Sequence, residues 1–247
     1  MPAERSLASF GVPSWTGRSS IKGKGDVTGS PPTATEARRA VIQVCHRLYE
    51  RGLIAGQDGN VSVRLGARIL VTPAGASKGD VRAQDLILLR PDGSKVSGRG
   101  TASSEVHVHL AAYAARPDVR AVVHAHPPTA TGFAVAGITL DYDALAEMVY
   151  NVGRVPIVPY APPGSREVAA LVAAALDGAD VVLMANHGAV AVGPTLTVAH
   201  QRMESLEHAA RILLAARQLG GVTRLTRAEV QALESARTAV RSTRVSR

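Results

Sequence analysis

Short runs of β-branched and aliphatic residues alternate along this chain with longer stretches of helical period. That alternation restricts the fold more than any other feature. "GNVSVRL" (59–65), "ARILVTPAG" (67–75) and "VRAVVHAH" (119–126) read as short strands, and "DLILLRPDGSKV" (85–96) reads as a hairpin turning at Asp92-Gly93. "VPIVPYAPPG" (155–164) is another extended segment, and "ADVVLMANHG" (179–188) a further strand. Between and around them lie helical patterns. Thr33 and Glu36 form a capping box ahead of Val41, Val44, Cys45 and Leu48, a helix expected to end near Gly52. Further helices are expected over 103–119, opened by Ser103 or Ser104 as N-cap, over 165–176, from about Pro194 to Leu219, and from Thr226, which pairs with Glu229 in a second capping box. No internal repeat organises these pieces. One α/β domain, a sheet covered by helices, is the economical architecture.

Composition narrows the class. The 247 residues suffice for one large domain. Aromatics are only 3% against 46% hydrophobic residues, so the core must be aliphatic. No apolar stretch approaches the roughly 20 residues that span a bilayer, and the first residues lack a continuous apolar run, so neither membrane insertion nor a secretory signal is expected. The single Cys45 fits a reducing compartment, and a cytoplasmic location follows as the expectation. The net charge of +8 invites a nucleic-acid reading. Several basic residues lie in the leader (Arg5, Arg18, Lys22, Lys24) and the tail (Arg237, Arg241, Arg244, Arg247), without a nucleic-acid-binding motif or base-stacking aromatics. A solvated surface that attracts anionic metabolites is the better account. Residues 1–32 read as a mobile leader, 33–222 as the main domain and 223–247 as a C-terminal helix with a basic tail.

"AVVHAHPP" (121–128) raises the functional question. Alternate residues of a strand share a face, so His124 and His126 lie on one side, roughly 6–7 Å apart along the chain. Two imidazoles so placed can converge on one ion. His187, ahead of a glycine at the end of another expected strand, is the best third ligand. His107 and His109 repeat the H-x-H spacing but fall on an expected helix, where residues two apart diverge. As a strand they would be a rival site. His46, His200 and His208 fall on helices and read as packing or surface residues. Spacing alone leaves both readings of His124, His126 and His187 open: metal ligands or structural histidines. Glu105, at a helix start behind two serines, is a candidate acid/base, although local sequence favours simple complementation of the helix dipole.

The ordered set "GNVSVR", "TPAG", "SSE", "AVVHAH", "PYAPPGSRE" and "NHGAV", spread from about Thr33 to Gly220, resembles the class II aldolase/adducin family. The resemblance implies a three-layer α/β/α sandwich with a mixed, mostly antiparallel central sheet, assembled as a homotetramer. It implies His124, His126 and His187 as ligands of a divalent metal ion, with Zn foremost and Mn, Fe or Co compatible, and Glu105 as catalytic acid/base. Asn60, Gly75, Ser103 and Ser104 would hold the phosphate of a small phosphorylated sugar. The implied reaction is cleavage of a sugar phosphate of the L-fuculose 1-phosphate type to dihydroxyacetone phosphate and a short aldehyde, through a metal-stabilised enediolate. Alternatives within the family are decarboxylation of a 3-oxo-tetronate phosphate and pentulose-phosphate 4-epimerisation. A non-catalytic adducin-like interaction domain is disfavoured by the histidines. The chain also departs from the pattern. Ala74 replaces a threonine, Leu145 stands at a tyrosine position, and no tyrosine follows Tyr160. Tyr142 or Glu147 is the expected substitute.

Overall fold

The computed structural model describes residues 33–245, with side chains as far as Ala239; the expected leader, 1–32, lies outside the described residues. One mixed sheet forms the centre. Its strands are β1 (Asn60–Leu65), β2 (Arg68–Val71), β3 (Ile87–Leu89), β4 (Lys95–Ser97), β5 (Ala121–Ala125), β6 (Ile157–Val158), β7 (Val181–Met184) and β8 (Gly188–Gly193), in the order β4-β3-β2-β1-β5-β8-β7-β6. β6 runs parallel to β7, and the other paired strands are antiparallel. Helices α1 (Ala34–Glu50), α3 (Pro128–Val135) and α5 (Leu196–Gln218) pack on one face; α2 (Val106–Ala115) and α4 (Arg166–Ala175) pack on the other. The three-layer sandwich is as expected.

Strand alternation sorts the core. Val61, Val63, Ala121, Val123, Leu183 and Ala191 face α1, α3 and α5, whereas Val122, Val182, Val190 and Val192 face α2 and α4. Each buried Val contributes about 1.5–3 kcal/mol relative to exposure, so a one-residue slip of β5 would forfeit both sets of contacts. The pairing of β5 with β1 sets Asn60 opposite His124 and Ser62 opposite Val122. These side chains therefore share the α2/α4 side of the sheet.

Both capping boxes are present. Thr33 Oγ1 accepts from Glu36 N at 3.3 Å while Glu36 accepts from Thr33 N at 2.8 Å, and Thr226 and Glu229 repeat the exchange ahead of α6 (Arg227–Val245). The expected Ser103/Ser104 cap of α2 is corrected: the N-cap residue is Glu105, and its own N–H is donated to Ser103 Oγ at 3.4 Å. The serine bond fastens Glu105 at the junction instead of serving the first turn. The "ADVVLMANHG" strand also ends earlier than expected. β7 stops at Met184, and Asn186, at a left-handed φ of 56°, turns the chain into β8, a central strand that local pattern did not anticipate. His187 consequently sits in the turn and not on the strand.

α3 was likewise not anticipated. It starts at Pro128, straight after Pro127, and its exposed N–H groups are capped from another helix. Glu207 of α5 accepts from Thr129 N at 2.9 Å and from Ala130 N at 3.0 Å, and pairs with Arg211 at 2.7 Å. The basic tail is partly docked, not wholly solvated: Arg237 of α6 reaches Asp180 at 2.6 Å and the Val152 carbonyl at 2.7 Å.

Losing a buried acceptor from two helix N–H groups costs about 1–3 kcal/mol. Glu207→Ala is therefore expected to lower unfolding stability by about 2 kcal/mol in urea titration, with Glu207→Gln costing less because its amide oxygen still accepts. Equal stability of all three proteins would show that α3 is held by other means.

Candidate active site

Two segments deliver the histidines. His124 and His126 come from the end of β5, one within the strand and one just beyond it, on the face that strand periodicity requires. His187 arrives from the β7–β8 turn next door. The rings stand in a near-threefold array: centroid separations are 4.9, 4.9 and 5.1 Å, with interplanar angles of 62–68°. One nitrogen from each lies within 4.8 Å of the others. Glycine makes this convergence possible. A Cβ at Gly188 would meet His126 Cδ2 at 2.5 Å and Ala125 O at 2.6 Å, and one at Gly59 (φ +66°) would meet His124 O at 2.8 Å.

The chemistry of the donors fits a cation. His124 is buried, and its Nδ1–H donates to Ala189 O at 2.9 Å, which turns the Nε2 lone pair inward. His126 Nε2 stands 3.2 Å from it; two tetrahedral ligands at Zn–N distances would stand roughly 3.3 Å apart. The other nitrogen of His126 faces Asp58 at 3.4 Å. Glu105 completes the ring of acceptors, with Oε2 2.9 Å from His124 Nε2 and Oε1 3.2 Å from His187 Nε2. Lone pairs from imidazoles and a carboxylate converge here. Positive charge at the centre is needed to hold them, and the donor set could supply a divalent ion with nitrogen and oxygen ligands.

The titrations agree with this picture. Burial alone raises the Glu105 carboxyl, but a proton on the Nε2 of His124 or His187, standing where the lone pairs otherwise call for a cation, donates to it and holds it ionised. Burial, with the charge of His124 and His187, pushes His126 down to about 4, so its ring is neutral.

The remaining expected residues gather in one cleft of about 390 Å³. Asn60, Gly75, Ser103 and Ser104 line it together with Glu105 and His187. Two backbone ties assemble it: Ser103 N donates to Thr72 O at 3.2 Å, and Ala74 N to Thr101 O at 3.0 Å. The rival pair is separated, as a helix dictates. His107 is exposed, whereas His109 is fully buried against β1. Tyr142 and Glu147 do not reach the cleft of this chain. Tyr142 contacts Glu234 at 3.5 Å, and Glu147 lines a separate hollow with Leu145 and His208. Sequence reading missed Lys78, which is 2% exposed, lines the cleft and donates to Gln57 O at 2.7 Å and Ala76 O at 2.8 Å. Its burial lowers the ammonium pKa. A lone lysine in a loop resembles a surface residue; the one local hint was its place just after the "TPAG" turn.

An α/β/α sandwich with three histidines and a carboxylate meeting at the ends of its central strands defines a class of protein with a candidate metal site. The particular family follows from comparison. Residues 39–214 match the Class II Aldolase and Adducin N-terminal domain, and the chain belongs to that family. It is 35% identical over 172 residues to an L-fuculose phosphate aldolase of Methanococcus maripaludis, covering 69% of this chain and 92% of that protein. It is equally 35% identical, over 205 residues, to a 3-oxo-tetronate 4-phosphate decarboxylase of Haemophilus influenzae, covering 80% and 96%. Among solved structures, YgbL of Klebsiella pneumoniae, a putative aldolase/epimerase/decarboxylase, superposes with a TM-score of 0.77 at 32% identity, covering 82% of this chain and 99% of that one.

Full-length protein loaded with a divalent ion and then dialysed should retain about one ion per chain, measured by elemental analysis. His124→Ala should retain essentially none. Gly188→Ala, which crowds the His126 ring, should weaken retention by about 10-fold or more.

Proposed function

We propose that the protein is a divalent-metal-dependent lyase that cleaves a sugar phosphate of the L-fuculose 1-phosphate type to dihydroxyacetone phosphate and a short aldehyde. The observation that carries this reading is the convergence of His124, His126 and His187 with an ionised Glu105 on a cleft rich in hydrogen-bond donors. In this reading the histidines hold the ion, with zinc foremost and Mn, Fe or Co compatible. The bound ion supplies Lewis-acid polarisation of the substrate carbonyl and its neighbouring hydroxyl.

The chain's own residues do the rest. Glu105 is ionised and takes the proton from the substrate hydroxyl whose carbon leaves as the aldehyde. The electrons of the broken carbon–carbon bond pass toward the carbonyl. Glu105 then returns the proton to the carbon that has lost its partner, so one carboxylate closes the cycle. Ser103, Ser104, Asn60 and the Gly75 turn anchor the phosphate through donors, as a developing or resident anion requires. Lys78 adds positive charge beside them. The same reading carries a homotetramer and a cytoplasmic setting; no described helix is long and apolar enough to cross a membrane.

Decarboxylation of a 3-oxo-tetronate phosphate is the second reading, and two observations favour it. The decarboxylase relative covers more of the chain than the aldolase relative does. No tyrosine lines the cleft among the described residues, and loss of CO2 needs only a single proton, drawn from water, delivered to the carbon that carried the carboxylate.

Metal-loaded enzyme should release aldehyde from L-fuculose 1-phosphate, read by a coupled reductase, with no CO2 from 3-oxo acid phosphates. Clear CO2 release without aldehyde from any phosphoketose would transfer the assignment to the second reading. Under either reaction, Glu105→Gln should cut kcat by about 10²–10⁴-fold while the ion is retained. Lys78→Met should raise KM for the phosphorylated substrate about 10-fold, corresponding to about 1.4 kcal/mol, with a much smaller change in kcat.

A further inference from the structure

A buried polar chain ends on Glu105 Oε2, the carboxylate oxygen that also faces His124. It links Tyr113, Ser62, His109 and Asn60, whose exposures are 3%, 0%, 0% and 2%. Tyr113 Oη lies 2.8 Å from Ser62 Oγ, and Ser62 Oγ lies 2.6 Å from His109 Nδ1. His109 Nε2 bonds Asn60 Oδ1, and Asn60 Nδ2 donates to Glu105 Oε2 at 3.1 Å.

The direction of every bond follows from the last one. Asn60 faces Glu105 with its Nδ2, an atom that only donates, and faces His109 with its Oδ1, an atom that only accepts. That acceptor obliges His109 Nε2 to carry the ring proton. Neutral His109 is left with Nδ1 as an acceptor, so Ser62 donates to it, and Tyr113 donates to Ser62. Burial, with the charge of His124 against that of Glu105, pushes His109 down to about 3, in keeping with a neutral ring.

We propose that His109 is a positioning residue: its Nε2–H fixes the orientation of the Asn60 amide, and through it the Glu105 carboxylate. One consequence concerns specificity. Asn60 lines the cleft with its amide donor, its oxygen being turned to His109. The substrate group seated beside it must therefore be an acceptor, such as a phosphate or carboxylate oxygen, and a hydroxyl can bind there only through its oxygen. The tautomer and the amide orientation stand independently of the reaction; the catalytic consequence rests on the proposed role of Glu105.

The test separates the two. NMR of full-length protein labelled with 15N-histidine should show His109 as a neutral ring with its proton on Nε2, protected from solvent exchange. A proton on Nδ1, or a charged ring near neutral pH, overturns the proposal. In metal-loaded enzyme, His109→Leu should lower kcat by about 10²-fold, with ion retention and KM nearly unchanged. His109→Gln, whose terminal NH2 can reach Asn60 Oδ1, should recover most of that loss. Equal impairment of both variants in step with lowered melting temperature, or wild-type kcat in His109→Leu, overturns the positioning role. Absence of turnover on every sugar phosphate and oxo acid phosphate, with the His109 tautomer as stated, overturns the proposed function alone.

Discussion

The antiparallel register of β1 on β5 is the constraint on which the site depends. Asn60 opposite His124 and Ser62 opposite Val122 put four side chains on one face in a single stroke. Because strand periodicity is two, shifting β5 by one residue would turn His124 toward α1 and α5 and bring Val123 to the cleft. The register is held from both sides. β8 pairs His124 with Val190 and offers the Ala189 carbonyl to its ring, while β1 supplies the buried polar pair that α2 must satisfy. The aliphatic contacts that lock the sheet thus also fix the donor geometry, and no separate scaffold is required.

Much of this was legible in local pattern. Capping boxes at Thr33 and Thr226 announce their helices because the partner lies three residues away. The one-face placement of His124 and His126 follows from the strand period. What escaped is non-local. α3 begins with two prolines that locally resemble a break, and its cap is Glu207, 78 residues from Thr129. β8, "GAVAVG", has little β-branched character; it is a strand because both neighbours and both helix layers close over small residues. The serines before α2 do resemble a cap, but Ser103 spends its hydroxyl on Glu105 N. His109 was placed correctly on a helix, yet helical spacing alone does not tell a surface imidazole from one wedged against Ser62 and Asn60.

The centre of the site runs against the usual economy of a folded interior. Acceptors converge where packing would favour apolar groups, and such a cluster is costly unless a cation or proton sits among them. Elsewhere the same chain satisfies its buried charges directly: Asp180 is met by Arg116, Arg202 and Arg237, and Asp141 by Arg217 and Arg224. The contrast is informative. Where the fold needs only stability, cations from the chain close each carboxylate. Around Glu105 the described contacts are imidazoles and one amide, with no arginine among them.

That distribution bears on which reactions the cleft can support. Retro-aldol cleavage moves a proton off oxygen before one returns to carbon, whereas decarboxylation needs only the delivery of a proton from water to carbon. A single carboxylate can serve either, provided its basicity is not quenched. An arginine beside Glu105 would add a permanent positive charge to the influence of His124 and His187, which already lowers the carboxyl pKa, and make it a poorer base still. The amide of Asn60 orients it with a neutral donor instead, and Lys78, the nearest buried cation of the cleft, is tied to the Gln57 and Ala76 carbonyls. Orientation and charge neutralisation are thereby assigned to different residues. The carboxylate is positioned without an arginine partner, and positive charge remains at the cleft, as the proposed phosphorylated substrate would require. Such a division suits a reaction in which one group must both accept and return a proton within a single turnover.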